Sequence, residues 1–421
     1  MTLPALGRAV RFCTYGMMAS LPFAVGGVNV FGTLIILLAL LSREWWSVFP
    51  RLMRNPMVLI CIAMLLLVWL GTFRTAGPHQ EALNVLNRYH KLLFIPLLIP
   101  FFQQLKHRMM ALNVLLGALL FNVVISWTEF FGWTHVSDQA YLGTATAPGD
   151  SVFHQHITQG LLFCVSMVVG SALAWFEKTR GRKIYYWGAV LLAASNVAWV
   201  MVGKTGKAML PLLALWLLGE WWVSQKREKK RAEAFVHTSP NASLGSVTRS
   251  KWMFAGLALL VLGATTWSAL TPSTMLGTAF QEVVKSRATG QDNSQGERVE
   301  FWHKGLILIS HESWLGYGTG SVLTLTRKLA ETAQTPVGHL ATTNLHDEYL
   351  MWAVQFGLPG ALIILLFFFV YWRGGKQAGM AGMALRGAVM IFSFGCLYNS
   401  FLVDFAEGYS MVLLAGVLLP L

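Results

Sequence analysis

His346, in the stretch TTNLHDEYL (342–350), is the strongest candidate for a group that moves protons. Imidazole titrates near neutral pH and can take a proton from a hydroxyl. Asp347 and Glu348 follow it at the entry to an apolar run, which makes a functional role as reasonable as a structural one. A second set is cationic. Arg74, Arg88 and Lys91, the closely spaced Lys204 and Lys207, and Lys285, Arg287, Arg298, Lys304, Arg327 and Lys328 all lie outside the basic loops described below. Such cations suit a phosphate or pyrophosphate, because Arg forks match phosphate oxygens and Lys supplies a point charge. The plainer reading is snorkelling toward headgroups, which we favour for Lys285, Arg327 and Lys328.

His154 and His156, with Gln159 one turn further on, could hydrogen-bond a sugar or phosphate. Histidines two apart on a helix point to different faces, so no metal is expected there. Ordinary interfacial polarity is the stronger reading of this group. The run Gly316-Tyr-Gly-Thr-Gly320 has the look of a phosphate cradle, but no strand precedes it, and a close-approach turn is the safer expectation.

These residues must be positioned by a membrane scaffold. The 421 residues are 55% hydrophobic and 12% charged, outside the range of soluble domains. The apolar residues fall in continuous runs long enough to cross a hydrocarbon layer of roughly 30 Å as helices. Continuous rather than alternating runs exclude a barrel. The expected fold is all-α and polytopic, with about twelve transmembrane helices near 10–26, 28–42, 56–72, 90–105, 109–130, 157–176, 184–203, 206–224, 252–270, 349–372, 382–398 and 403–420. Residues 1–270 then hold nine spans and a polar, basic loop at 225–251, expected to be flexible. Residues 271–348 form one large, partly helical segment, and 349–421 hold three more spans. Cys13, Cys61, Cys164 and Cys396 all fall within expected spans and read as small buried residues.

With both termini in the cytoplasm, every cytoplasmic connection is rich in Lys and Arg, and 271–348 lies outside. The net charge of +13 is therefore a topology signal, with no nucleic acid expected as partner.

Several of these pieces together resemble the O-antigen ligase and polymerase superfamily. Arg298 with Trp302, Trp314-Leu-Gly-Tyr-Gly-Thr-Gly320, His346-Asp-Glu-Tyr-Leu350 and Gln355-Phe-Gly-Leu-Pro-Gly360 are similar to its C-terminal signature. Gly203-Lys-Thr-Gly206 resembles its short Gly-Arg-Thr-Gly turn. Asp347 stands where Asn is usual, and Lys204 where Arg is common.

The resemblance implies a multi-pass glycosyltransferase of the bacterial inner membrane with its site on the periplasmic side. The implied donor is a glycan on undecaprenyl pyrophosphate, and the implied acceptor is a sugar hydroxyl of lipid A–core. In that scheme His346 deprotonates the acceptor, and Arg298 stabilises the departing pyrophosphate with help from Lys204, Lys207 or Arg88. Direct displacement would invert the anomeric centre. His156, Gln159, Asp347 and Tyr349 are the further substrate-binding candidates. Neither a metal nor an organic cofactor is expected. A polymerase or a protein-glycosylating ligase shares the donor chemistry, and a transporter with helices interrupted at Gly357-Leu-Pro-Gly360 is the alternative from another class.

Overall fold

The computed structural model describes residues 3–136, 148–238, 282, 284–285, 294–333 and 338–421. Among them every regular element is a helix. The first are α1 (Leu3–Ser20), α2 (Val25–Leu41), α3 (Arg43–Leu52), α4 (Pro56–Gly71), α5 (His79–Tyr89) and the short α6 (Phe94–Leu98). Next come α7 (Leu105–Phe130), α8 (His156–Phe176), α9 (Arg180–Trp199) and α10 (Lys204–Thr238). The chain closes with α11 (Ser294–His311), α12 (Val322–Glu331), α13 (Glu348–Gly374), α14 (Met380–Gly395) and α15 (Phe405–Leu418).

Among the described residues four helices are long and apolar enough to cross a membrane, Pro56–Arg74, Leu105–Phe130, His156–Phe176 and Glu348–Gly374; α2 and α3, bent by 83°, make a fifth if taken as one span. The protein is a helical membrane protein. Each expected span except 252–270, which lies outside the described residues, falls on helical chain. The stretch at 225–251 departs from expectation in its first half, where α10 simply continues to Thr238. Gln, Arg, Lys, Glu and Ala favour helix strongly enough that a polar composition alone does not end one. The rest of that loop lies outside the described residues.

Proline shapes the segment around 90–105. Instead of one helix it is a succession of a 3₁₀ turn (His90–Leu93), α6 and a second 3₁₀ turn (Ile99–Phe102). Pro100 has no N–H to give the carbonyl four residues back, at Pro96. The indole Nε1 of Trp45 donates to that carbonyl instead, at 3.1 Å.

α8 is the hub of the bundle, packed by α7, α9, α10, α14 and α15. Gly160 on α8 and Gly206 on α10 lie against each other, so two backbones approach closely where α10 begins. Residues 294–333 and 338–347 form a cap over the start of α13, with a small core of its own made by Phe301, Leu308, Val322, Leu325, Leu345, Met351 and Val354.

The glycine-rich run and the interrupted helix are two halves of one device. Gly357 has φ 60° and ψ −146°, which breaks α13. Pro359 cannot donate to the carbonyl of Gln355, and Leu358 donates to Ser313 rather than to Val354. The two orphaned carbonyls are taken by the turn: Tyr317 N–H bonds Val354 at 3.0 Å and Gly318 N–H bonds Gln355 at 2.8 Å. Gly320 N–H goes to the Gln355 side chain at 2.8 Å, and Thr319 N–H to Gly71 at 3.0 Å. In a membrane protein every such group needs an internal partner. The amides of 317–320 are therefore committed to the fold and not open to phosphate.

Gly318 sits at φ 85°, and a Cβ there would lie 2.6 Å from the backbone of Arg74 and Thr75. Gly318→Ala is expected to lower the midpoint of thermal denaturation in detergent clearly. Left-handed strain of roughly 1–2 kcal/mol adds to a backbone overlap that no rotamer can relieve. Gly188→Ala, at a helical glycine with open space around it, is the matched control.

Candidate active site

α11 brings the first residues together. Arg298 and Trp302 are one helical turn apart and share a face. The ring of the neighbouring Phe301 stacks on His346 with centroids 6.2 Å apart, and Trp302 Nε1 donates to the His346 carbonyl at 3.4 Å. Arg298 is buried to 8% exposure. Among the described residues nothing accepts a hydrogen bond from its guanidinium, although Asp404 and Glu297 lie within electrostatic range. Burial pulls its pKa below the usual arginine value, with those two acids opposing.

His346 is, among the described residues, the one non-glycine at positive φ, 54°. Backbone of this kind marks a position the surroundings over-determine. The Asn399 side chain donates through Nδ2 to Asp404 Oδ2 at 2.7 Å, which turns its Oδ1 toward His346 Nδ1 at 3.0 Å. An amide oxygen only accepts, so Nδ1 carries the hydrogen and Nε2 keeps the basic lone pair. Burial lowers the His346 pKa, the bond to Asn399 works against it, and nearby Arg298 lowers it further. The imidazole is thus held neutral and ready to accept a proton.

A cavity of about 330 Å³ opens beside it, lined by His154, Thr158, Asn344, His346, Asn399, Asp404 and Glu407 among others. Amides, acids and hydroxyls dominate the polar lining, which fits a polyhydroxy ligand. Glu407, 2% exposed, accepts a hydrogen bond from Thr158. Behind this wall Lys91, also 2% exposed, donates to the carbonyls of Val403 and Asp404 and so ties down the connection before α15. Glu348, fully buried, accepts from Tyr89, Trp352 and the backbone of Leu402, joining α5, α13 and that same connection.

The other expected site residues divide. Arg88, exposed, lies in electrostatic range of Asp404 and Lys91. His156 packs on Gly203 and is within range of Arg298; its Nδ1 is buried and has no partner among the described residues. Lys204 is engaged by Glu282 at 2.6 Å, and none of Lys204, Lys207, Arg88 and Arg298 is in the cavity lining itself.

Three candidates serve the fold. Gln159 is fully buried, accepting from Val152 at 2.9 Å and donating to Gly149 at 2.9 Å, which fastens the 148–152 turn to α8. Tyr349 donates to the Ser393 carbonyl at 2.8 Å and links α13 to α14. Asp347 caps α13, its Oδ1 accepting from Leu350 N–H at 2.9 Å. Asp and Asn cap equally well, which explains why Asp is compatible with a place where Asn is usual.

Burial raises the Asp347 pKa to about 6. A carboxyl with a raised folded-state value loses folding free energy when it ionises, so the penalty is full above pH 6, shrinks as pH falls below that and is gone only below the ordinary carboxylate value of 3.8. Asp347→Asn keeps the cap without the charge and is expected to raise the denaturation midpoint at pH 7.5 relative to pH 5. Asp347→Ala, which loses the cap, is expected to cost about 1 kcal/mol.

Asn344, Asn399 and Thr158 were not marked by the sequence. Asn399 stands in a short polar break between two apolar runs, five residues before an acid, and that is the one signal it offers.

Residues 183–365 match the protein-family model described as O-antigen ligase. The match begins in α9 and ends inside α13, so it takes in the Gly203–Gly206 turn, Arg298, the glycine run, His346 and the break at Gly357. No curated protein matches the chain.

Proposed function

We propose, from the membership of the O-antigen ligase superfamily that the match over residues 183–365 supports, that this protein transfers a glycan from a polyprenyl-pyrophosphate donor to a sugar hydroxyl. The observation that carries the reading is a neutral, amide-oriented imidazole that lines a polar cavity, with a buried guanidinium in electrostatic range of it that has no hydrogen-bond acceptor among the described residues. His346 Nε2 takes the acceptor proton as the hydroxyl oxygen attacks the anomeric carbon. The bond to the pyrophosphate oxygen breaks on the opposite side, inverting that centre. Arg298 faces the charge that develops on the leaving group, with Arg88 as a second cation.

The donor we assign is undecaprenyl-pyrophosphate-linked O-antigen and the acceptor lipid A–core, both presented by the bilayer. The chain would cross the inner membrane about twelve times, termini in the cytoplasm and site in the periplasm. α8, α10, α13 and α15 begin at one common end, where His156 meets Gly203, Thr158 meets Glu407 and Glu348 meets Leu402. The side assigned to that end rests on the Lys- and Arg-rich connections at the other. The filled break at Gly357 weighs against a transporter, since its freed carbonyls bind the 317–320 turn and leave no open coordination site.

Reconstitution in vesicles with lipid-linked glycan tests the proposal. Product on lipid A–core establishes the ligase. Long polymer with donor alone would make it a polymerase, and label on an added pilin-like protein a protein ligase. No transfer in any arm, with the donor intact, would overturn the glycosyltransferase reading.

A further inference from the structure

We infer that Asn344 is a positioning residue for His346 and at the same time presents its amide N–H groups to a ligand oxygen in the cavity. The ligand half of this inference rests on the glycosyl-transfer reading; the positioning half does not.

His346 needs an external cause for its backbone. A left-handed φ in a residue with a Cβ is disfavoured by roughly 1–2 kcal/mol. Asn344 supplies that cause, because its Oδ1 accepts the His346 N–H at 2.8 Å and closes a turn over Leu345. The same Oδ1 accepts the hydroxyl of Ser400 at 2.7 Å. Ser400 is fully buried and adjoins Asn399, the partner of the imidazole. Two parallel ties therefore run between the segments, Asn344 to Ser400 and His346 to Asn399. The first sets the spacing that the second needs.

Asn344 is itself anchored. Its N–H goes to Thr342 Oγ1 at 3.0 Å, Thr342 Oγ1 donates back to the Asn344 carbonyl at 2.7 Å, and Thr342 is tied to Thr326 on α12.

The orientation of the amide follows from its partners. His346 N–H is a donor and can meet only the oxygen, so Nδ2 is the end that remains. Among the described residues Nδ2 donates to nothing, and Asn344 lines the cavity beside His346, Asn399 and Asp404. Two N–H donors are thus available beside the imidazole, and an oxygen-rich ligand accepts there.

The two roles separate by substitution in the full-length protein. Asn344→Ser keeps a side-chain oxygen that can accept the N–H two residues on, yet loses the amide donors. Asn344→Ala loses both. Two readouts are followed: steady-state transfer, and the pH profile of His346 modification by diethyl pyrocarbonate measured on the His346 peptide by mass spectrometry.

Asn344→Ser is expected to leave kcat and the modification profile close to wild type while raising the acceptor KM roughly tenfold through the lost donors. Asn344→Ala is expected to displace the modification profile and to lower kcat at least roughly tenfold, since a misplaced base loses reactive geometry. Should Asn344→Ala fail to fold, Ser400→Ala carries the test, with a smaller fall in kcat, a displaced profile and an unchanged KM. An unaltered kcat and modification profile in Asn344→Ala, or in Ser400→Ala where the former is not obtained, overturns the positioning role. An unchanged KM in Asn344→Ser overturns the ligand contact. If wild type transfers nothing, the functional reading fails, while the modification profiles still decide the positioning.

Discussion

His346→Ala is expected to abolish glycan transfer while the protein still inserts and folds. A positioned base typically contributes roughly a hundred- to ten-thousand-fold, so transfer falls to the assay background. The fold is expected to tolerate the change because the ring of His346 is half-buried and, among the described residues, its side chain bonds only Asn399. Loss of the side chain removes the stacking of Phe301 on the imidazole but leaves Phe301 in the small core with Leu345 and Met351. Near-normal transfer by this variant would remove His346 from the mechanism. Unchanged protein abundance and denaturation midpoint would separate loss of chemistry from loss of structure.

The pH dependence follows from the same imidazole. Only the neutral form accepts a proton, so activity is expected to hold as pH falls through 6.5 and to decline at a lower value. Burial and Arg298 both displace the His346 pKa downward. Removing the cation with Arg298→Ala moves the acid limb up in pH. Removing the opposing bond with Asn399→Ala moves it down. Equal acid limbs in all three proteins would show that a different group sets the profile.

Arg298→Ala is the second large effect. Deleting one preorganised donor to a developing anion commonly costs about a hundred- to a thousand-fold in kcat. Arg298 is buried to 8% exposure and makes no hydrogen bond to an acceptor among the described residues, so its guanidinium is available to a ligand rather than spent on the fold. Arg298→Lys keeps the charge but not the fork that meets two phosphate oxygens at once, and is expected to recover part of the loss. Lys204→Ala provides the contrast. Its ammonium already has Glu282 at 2.6 Å, so the expected loss is far smaller. Transfer measured with saturating donor compares the three. Equal losses in Arg298→Ala and Lys204→Ala would place the leaving group elsewhere.

Part of this protein could be read without coordinates. Runs of apolar residues at span length determine that the chain is a bundle of membrane helices, because a backbone in hydrocarbon must satisfy itself locally. The polar residues left at run boundaries then have few roles open to them, and His346 stood out on those grounds, whereas Arg298 stood out through the family resemblance. Even the interrupted helix was visible, since Gly357 and Pro359 act on their own backbone within four residues.

What the sequence could not determine is where polar groups meet across the bundle. His346 and Asn399 are 53 residues apart, and no local periodicity links them. The tautomer of the imidazole, and hence which nitrogen is basic, depends on that pairing and on Asp404 beyond it. Tertiary packing also reassigned residues that look alike in sequence. Gln159, Asp347 and Tyr349 are spent on a turn, a cap and a helix contact, Lys204 is matched by an acid, and the amides of 317–320 mend the break in α13. The physical reason is common to all of them. A buried polar group is satisfied by whichever neighbour the packing brings within about 3 Å, and that neighbour is chosen by the fold rather than by position along the chain.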